Sequence, residues 1–261
     1  MTTAQRPVKL AVPKGSIQKA TAAFFARAGL PLEDYGENTR SYRPRIALEG
    51  VEVKVLRPQE IPMLLSRGYY DLGISGMDWY LESRVSTNVE DLVDLGFGRV
   101  DIVLAVPAAW GDVNSADTLF KNVHTSTGKL RIWTEYLNLA DEFVYKYEGT
   151  EPTIISPYSG IHRERHADIE IFHSFGATES KPPEDGEAII DNTETGRTLR
   201  ANGLKIIHKV LASSTAQLLA NRRSLLDPAK QERIERIRAA FQKASHKVPE
   251  PRRAGFGHMD W

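Results

Sequence analysis

The sequence of 261 residues contains no cysteine, which excludes disulfide bonds, thiolate metal sites and a redox role for a thiol. Its 34 basic and 34 acidic side chains leave no net charge, so a broad electrostatic surface for nucleic acid is disfavoured. No stretch approaches the roughly 18 apolar residues of a membrane span, and the first residues lack the apolar core of a signal peptide. We therefore expect a cytoplasmic protein that binds neither nucleic acid nor membranes.

Apolar and amphipathic segments alternate along the chain, which predicts an α/β fold with mainly parallel sheets and ligands at the carboxyl ends of the strands. The apolar runs predict strands at 8–12, 46–48, 51–56, 72–74, 100–106, 130–133, 153–155, 169–172 and 188–190. Helical spacing predicts helices that begin near Ser16, as the N-cap, and near Tyr136, and an amphipathic helix over 228–243. That last helix carries Ile234, Ile237 and Phe241 on one face, which we expect to pack on the rest of the chain or on a second copy.

The stretch 187–200 combines an apolar run with a polar loop. Gly196 has no side chain to keep a ligand from the backbone, and successive N–H groups in such a turn form a concave anion site. The neighbouring donors are Thr195, Thr198, Arg197 and Arg200. Two acceptors, Asp191 at the expected strand end and Glu194, suit sugar hydroxyls or a hydrated Mg²⁺. The spacing alone fits an ordinary polar turn equally well.

Other segments carry weaker signals. Lys14 and Gly15 lie between a strand and a helix N-terminus, where they form an anion site or only a surface turn. The arginines around Tyr42 could hold a triphosphate or be simply solvated; they are Arg40, Arg43 and Arg45. Gly73, Ser75 and Gly76 allow close backbone approach after the strand at 72–74, and Asp78 is either a helix cap or a ligand.

His162 and His166 have the spacing of a metal pair, but Arg163 and Arg165 between them would repel a cation. We interpret this segment as solvated and predict no protein-held metal site.

Several segments of the sequence, which follow one another in the same order, resemble segments of the ATP phosphoribosyltransferase family, whose members commit ATP to histidine biosynthesis. The similarity extends from residue 8 to about residue 222 and is carried by 12–15, 56–62, 71–78, 94–98, 103–107, 134–139, 176–179 and the loop at 187–200. Ser16 departs from the family, which usually has arginine there, so Lys14 or Arg43 would have to compensate.

The resemblance implies a two-lobe architecture like that of type II periplasmic binding proteins, with a cleft between the lobes. We expect lobe I to comprise 1–102 and 202–222, lobe II to comprise 103–201, and 223–261 to form a helix and tail. That tail is too short for the histidine-binding regulatory domain of long family members, so we expect the isolated chain to be insensitive to histidine.

The implied reaction transfers phosphoribosyl from phosphoribosyl pyrophosphate to N1 of ATP, with Mg²⁺ on the pyrophosphate. Asp191, Glu194 and Lys14 are the catalytic candidates. The phosphoribosyl-pyrophosphate site comprises Asp191, Glu194, Thr195, Gly196, Arg197 and Thr198. The ATP candidates are Lys14, Gly15, Arg57, Gly76, Asp78, Glu135 and Asn138.

The family resemblance also implies partners, namely a second copy in a dimer or larger homo-oligomer and a regulatory subunit resembling histidyl-tRNA synthetase. Two alternatives stay open at this point: a non-catalytic module that binds a small ligand, and a silent subunit of the same fold.

Overall fold

The computed structural model describes residues 6–36, 39, 41–126, 128–158 and 168–245. The chain divides into two compact units. Unit 1 comprises Met1–Tyr80, Val85–Gly98 and Thr215–Trp261, and unit 2 comprises Leu81–Arg84 and Arg99–Ser214. Among the described residues, none of the helices combines the length and apolar character that a membrane crossing needs.

Strands and helices alternate along most of the chain. In the first half of the chain they are β1 (Val8–Pro13), α1 (Gln18–Arg27), β2 (Leu32–Glu33), β3 (Arg45–Ile46), β4 (Val51–Leu56), α2 (Ile61–Ser66), β5 (Leu72–Gly76), α3 (Met77–Glu82), β6 (Val89–Asp94), β7 (Val100–Pro107) and α4 (Ala116–Ser126). The second half contains β8 (Leu130–Thr134), α5 (Leu137–Glu148), β9 (Thr153–Ile155), β10 (Ile169–His173), a 3₁₀ turn (Thr178–Ser180), β11 (Ala188–Thr193), α6 (Arg197–Ala201), β12 (Leu204–Ser214), β13 (Ala216–Asn221), α7 (Arg222–Leu225) and α8 (Pro228–Ser245).

Unit 1 is built on a five-stranded mixed sheet in the order β4-β1-β5-β13-β6. β1 runs parallel to β4 and β5, whereas β13 runs antiparallel to β5 and β6. One face of this sheet packs against α1 and α8, and α2 supplies Ile61 and Leu65 to the other face. Both faces of the central strands are therefore buried, which explains why their sequences read as continuous apolar runs.

The apolar stripe of α8 packs against unit 1 itself. Ile234, Ile237 and Phe241 are fully or almost fully buried, and the ring of Phe241 lies 5.1 Å from that of Phe24 and 5.0 Å from that of Phe25, both edge to face. The sequence left open whether this apolar face packs on the rest of the chain or on a second copy. The structure shows that it packs on the same chain.

Unit 2 contains a six-stranded sheet in the order β12-β7-β11-β8-β10-β9. β8, β9, β10 and β11 run parallel, whereas β11 and β12 pair antiparallel with β7. The carboxyl ends of β8, β10 and β11 therefore meet at one edge of the sheet. Loops that follow these strands gather at this edge, where ligands bind in α/β folds.

Several boundaries differ from expectation. Residues 202–214 belong to unit 2 because β12 pairs with β7, and the described part of the C-terminal helix belongs to unit 1. Ser16 as an N-cap is wrong, since α1 begins at Gln18, with Ile17 at the N-cap and no side-chain capping bond. Gly15, with φ of 92°, turns the chain so that the Gln18 amide donates to the Gly15 carbonyl.

Candidate functional site

The polar loop after β11 is closed by its own side chains. The Gly196 amide donates to Thr193 Oγ1 at 2.8 Å, and Arg200 Nη2 donates to the Thr195 carbonyl at 2.9 Å. Gly196 itself is the N-cap of α6, with φ of 69°, a left-handed conformation that favours glycine. The loop is thus a defined turn between strand and helix.

The surroundings of Gly196 give a further reason for glycine at this position. A Cβ there would lie 2.9 Å from Arg200 Nη1 and 3.3 Å from Ile206 Cδ1. Protein atoms therefore fill the side of Gly196 on which a Cβ would project. Arg200 contacts this turn, whereas Arg197 lines the cavity described next.

A cavity of about 460 Å³ lies over the loop. The structure brings five of the six predicted phosphoribosyl-pyrophosphate residues to its wall, all except Gly196. The full lining is Glu179, Asp191, Asn192, Thr193, Glu194, Thr195, Arg197, Thr198 and Leu199. Hydroxyls, one guanidinium and carboxylates thus face the same space, which suits a phosphate group beside a polyol.

Asp191 lies inside β11, opposite Val103 of β7, and not at the end of the strand as expected. Its Oδ1 accepts the Asn192 amide at 2.7 Å. Burial raises the pKa of Asp191 to about 7, and the negative charges of Glu135 and Glu179 act in the same direction, against the hydrogen bond from Asn192. A cation or hydroxyl donors in the cavity would hold this carboxyl in its ionised form.

Asn138, an expected ATP contact, forms hydrogen bonds with Glu82. Its amide Nδ2 donates to the Glu82 carbonyl at 2.7 Å, and its backbone N–H donates to Glu82 Oε1 at 2.9 Å. Leu139 N–H donates to the other carboxylate oxygen at 3.0 Å. Glu82 thereby caps α5, although burial raises the pKa of its carboxyl to about 7.

Lys14 in unit 1 contacts an aromatic partner. Its Nζ donates to Tyr42 Oη at 2.9 Å and lies 4.8 Å from the centre of that ring. The hydrogen bond from Lys14 lowers the pKa of Tyr42, and the charge of Arg57 adds to this effect. Gly15, with φ of 92°, has open space on the side where a Cβ would project. Lys14 and Gly15 therefore sit in an exposed, cationic turn.

The two described arginines near Tyr42 have different surroundings. Arg45 forms ion pairs with Glu33 at 3.1 Å and Asp34 at 3.2 Å. Arg43 lines a different cavity of about 430 Å³ with Lys9 and Lys54 among others, and Arg40 lies outside the described residues. Arg45 is therefore engaged in surface ion pairs with neighbouring carboxylates, whereas Arg43 faces a cavity.

Gly76 and Asp78 form one structural unit. Asp78 Oδ1 occupies the position that a Cβ on Gly76 would take, and Asp78 is only 4% exposed. Ser75 Oγ donates to the Pro58 carbonyl at 2.8 Å. Of the two roles open for Asp78, the structure favours the local one, since its carboxylate folds over the end of β5.

Within the described ranges, no three His, Cys, Asp or Glu side chains are grouped so as to hold a metal ion. His162 and His166 lie outside those ranges.

Comparisons with known proteins identify the family. The model of the ATP phosphoribosyltransferase family matches residues 57–243. The ATP phosphoribosyltransferase of Solibacter usitatus is 38% identical over 240 residues, which cover 91% of this chain and 72% of the relative. The ATP phosphoribosyltransferase of Prosthecochloris aestuarii is 33% identical over 251 residues, which cover 94% of this chain and 74% of the relative. The chain belongs to the ATP phosphoribosyltransferase family.

Solved structures confirm the predicted two-lobe α/β fold class. A chain of the ATP phosphoribosyl transferase (HisG:HisZ) complex from Thermotoga maritima superposes with a TM-score of 0.67 at 22% identity, over 92% of this chain and 100% of that one. An ancestral arginine-binding protein bound to arginine gives 0.51 at 11% identity, over 93% and 96%. The ATP phosphoribosyltransferase family thus shares its fold with binding proteins of the periplasmic type.

Four residues of this ATP phosphoribosyltransferase family member line the cavity without having been predicted, namely Glu179, Asn192, Thr193 and Leu199. Asn192 Nδ2 also donates to Tyr136 Oη at 3.1 Å. In unit 1, the contact of Tyr42 with Lys14 was not predicted either. Asn192 could have been found by extending the strand past 190, whereas Glu179 and Tyr42 reach their partners only through tertiary structure.

Proposed function

We propose that this chain transfers the phosphoribosyl group of phosphoribosyl pyrophosphate to N1 of ATP and releases pyrophosphate, the first step of histidine biosynthesis. Family membership supports the reaction. The observation that carries the proposal is the single cavity that gathers Asp191, Glu194, Thr195, Arg197 and Thr198. A binding protein of the same fold would not need carboxylates beside an anion-binding loop.

In this proposal the loop holds the 5-phosphate. The hydroxyls of Thr195 and Thr198 and the guanidinium of Arg197 donate to its oxygens, and bonds to a charged acceptor are about twice as strong as neutral ones. The Gly196 amide already donates to Thr193, so the side-chain donors carry much of the binding. Asp191 and Glu194 then accept from the ribose hydroxyls.

The bond changes balance without a strong base. The N1 lone pair of adenine attacks ribose C1, the bond from C1 to oxygen breaks, and pyrophosphate departs with the electron pair. Because N1 is unprotonated at neutral pH, no proton has to be removed before the attack. The chain therefore acts by orienting two anionic substrates and by stabilising developing charge.

We propose that Mg²⁺ enters with the pyrophosphate group. The described residues form no three-ligand metal cluster, but Asp191 and Glu194 present oxygen donors in the same cavity, and Mg²⁺ commonly keeps waters and substrate phosphates as ligands. The ion supplies charge neutralisation on the leaving group. The two carboxylates would meet it directly or through its water.

For ATP we propose contacts from Lys14, Gly15 and Arg57 in unit 1. Lys14 is exposed beside Arg57, whose charge reaches the same tyrosine, so both cations are available to phosphate oxygens. Asn138, Gly76 and Asp78 have local structural partners, so we assign them a supporting role.

Pyrophosphate release from ATP, phosphoribosyl pyrophosphate and Mg²⁺ tests the reaction. We expect release that requires both substrates, together with a change in ultraviolet absorbance from the modified adenine. A chain that binds ATP but releases no pyrophosphate would be a binding module.

We also propose a second kind of subunit as a partner. The structural neighbour that this chain covers from end to end belongs to a HisG:HisZ complex. Titration of the chain with a HisZ subunit, followed by mass measurement in solution, should reveal a larger species, and a mass that stays constant would contradict this.

A further inference from the structure

Unit 2 carries an aromatic patch that the proposed reaction does not yet use, made of Tyr158, His173 and Phe175. The ring of His173 lies 4.6 Å from that of Phe175, and the ring of Tyr158 lies 5.5 Å from His173 and 6.0 Å from Phe175. Phe175 is 70% exposed and Tyr158 is 51% exposed. Three neighbouring rings with so much exposed surface are typical of an interaction site.

The aromatic patch lies at the same edge of the unit 2 sheet as the loop that forms the cavity described above. His173 is the last residue of β10 and pairs with Thr134, directly before Glu135. Ser174 N–H donates to the Thr134 carbonyl at 2.8 Å, and a Cβ on Gly176 would lie 3.7 Å from Glu135 Oε1. The chain then reaches Glu179, which lines the cavity. The rings thus stand at the same sheet edge as the carboxylates around Asp191.

The aromatic patch also contains a polar atom in need of a partner. His173 Nδ1 is buried and has no hydrogen-bond partner within the described part of the chain. Burial lowers the pKa of His173, so at pH 7 the ring is neutral and carries one acceptor nitrogen. A buried polar atom left unpaired costs free energy, which a ligand group can recover.

We propose that the aromatic patch receives the adenine ring of ATP and selects its 6-amino group. The rings of Phe175 and Tyr158 contact the planar base, and His173 supplies an acceptor for one amino hydrogen. A planar heterocycle with N–H donors satisfies both features, whereas an aliphatic ligand leaves His173 Nδ1 unpaired. The inference rests on the proposed function, because it takes ATP as the substrate.

Phe175→Ala tests the stacking contact. Loss of one base-stacking ring should raise the KM for ATP and the dissociation constant for ATP about tenfold, with the KM for phosphoribosyl pyrophosphate unchanged. Phe175→Trp should restore ATP affinity. Tyr145→Ala is the matched control, since Tyr145 is 52% exposed on α5 of the same unit but lies outside the aromatic patch.

Calorimetry with ATP alone separates this inference from the proposed function. If the parent chain binds ATP but shows no turnover, the proposed reaction is contradicted. The ATP affinities of the parent chain and of Phe175→Ala still test whether the aromatic patch binds adenine. Unchanged ATP affinity in Phe175→Ala overturns the inference. An equal loss of affinity for ATP and for phosphoribosyl pyrophosphate also overturns it, because the ring of Phe175 would then only stabilise the surrounding structure.

His173→Phe tests the choice of base. The variant keeps a ring but loses the acceptor nitrogen, so the preference for ATP over inosine triphosphate, which has a 6-oxo group, should narrow about tenfold. A preference equal to that of the parent chain would contradict the assignment of His173 as a reader of the amino group.

Discussion

The Gly196 amide donates a hydrogen bond of 2.8 Å to Thr193 Oγ1, so the last residue of β11 ties down the residue that starts α6. This bond sets the path of the loop between them. Thr195 and Arg197 lie on either side of the glycine and line the cavity. The Gly196 amide, which the sequence suggested as a phosphate donor, therefore stabilises the loop that carries the side-chain donors.

Thr193→Val removes this hydroxyl while keeping the shape of the side chain. The Gly196 amide then lacks its partner, which costs about 1–3 kcal/mol in the closed loop. We expect the KM for phosphoribosyl pyrophosphate to rise about tenfold and the KM for ATP to stay near its parent value. Thr193→Ser keeps the hydroxyl and should behave like the parent. Equal KM values for the two variants would show that the bond does not shape the site.

Gly196→Ala and Gly203→Ala form a matched pair, because φ is 69° at Gly196 and 72° at Gly203. Both substitutions meet the left-handed penalty of about 1–2 kcal/mol. Only at Gly196 would the new Cβ press on Arg200 and Ile206, since nothing lies within 4 Å at Gly203. We expect Gly196→Ala alone to lose affinity for phosphoribosyl pyrophosphate, at least tenfold by calorimetry. Similar losses in both variants would assign the effect to backbone strain.

Asp191 should impose a pH dependence on substrate use. Its pKa of about 7 means that ionisation is incomplete near neutrality, so kcat/KM for phosphoribosyl pyrophosphate should rise about tenfold per pH unit below 7 and level off above it. Asp191→Asn should lower kcat/KM at least tenfold and remove this step. A step that persists in the variant would assign the titration to another group.

The same carboxyl affects stability in a defined direction. Its folded-state pKa lies above the ordinary value of 3.8, so its contribution to stability is fully present below about pH 4 and is lost as pH rises through about 7. Asp191→Asn cannot ionise at this position and lacks this loss. In urea unfolding, the free energy of unfolding of the variant should therefore rise relative to that of the parent chain between pH 5 and pH 8. A stability difference that stays constant over this range would contradict the raised pKa.

Phe241→Ala tests the packing of α8 on unit 1. The ring is fully buried against Phe24 and Phe25, so its loss should lower the free energy of unfolding by about 3–5 kcal/mol. Leu226→Ala is the control, because Leu226 is 82% exposed and its truncation should stay within about 0.5 kcal/mol. Equal effects in urea unfolding would mean that α8 does not pack as described.

The sequence predicted several strands and part of the site. The run at 51–56 alternates valine with polar residues and coincides with the edge strand β4, of which one face is buried. The loop chemistry of 194–198 led to residues that share one cavity. These features are local, because a run of apolar residues or a glycine among hydroxyls is visible without the rest of the chain.

Other features depend on tertiary structure. β13 has the sequence AQLLAN, rich in helix formers, yet it lies buried between β5 and β6, so burial and not propensity decides its structure. Arg45 is taken by Glu33 and Asp34 from β2 and the turn that follows, and the space beside Gly196 is filled by Ile206 from β12. Residues that compete for the same charge or space cannot be recognised from one segment alone.

Pyrophosphate release is the most direct test of the proposed reaction. The chain is mixed with ATP, phosphoribosyl pyrophosphate and Mg²⁺, and pyrophosphate is followed enzymatically, with each substrate omitted in turn and with Asp191→Asn in parallel. The account predicts release by the parent chain that requires both substrates and falls at least tenfold in the variant. No release by the parent chain, either alone or with a HisZ subunit, would contradict the account.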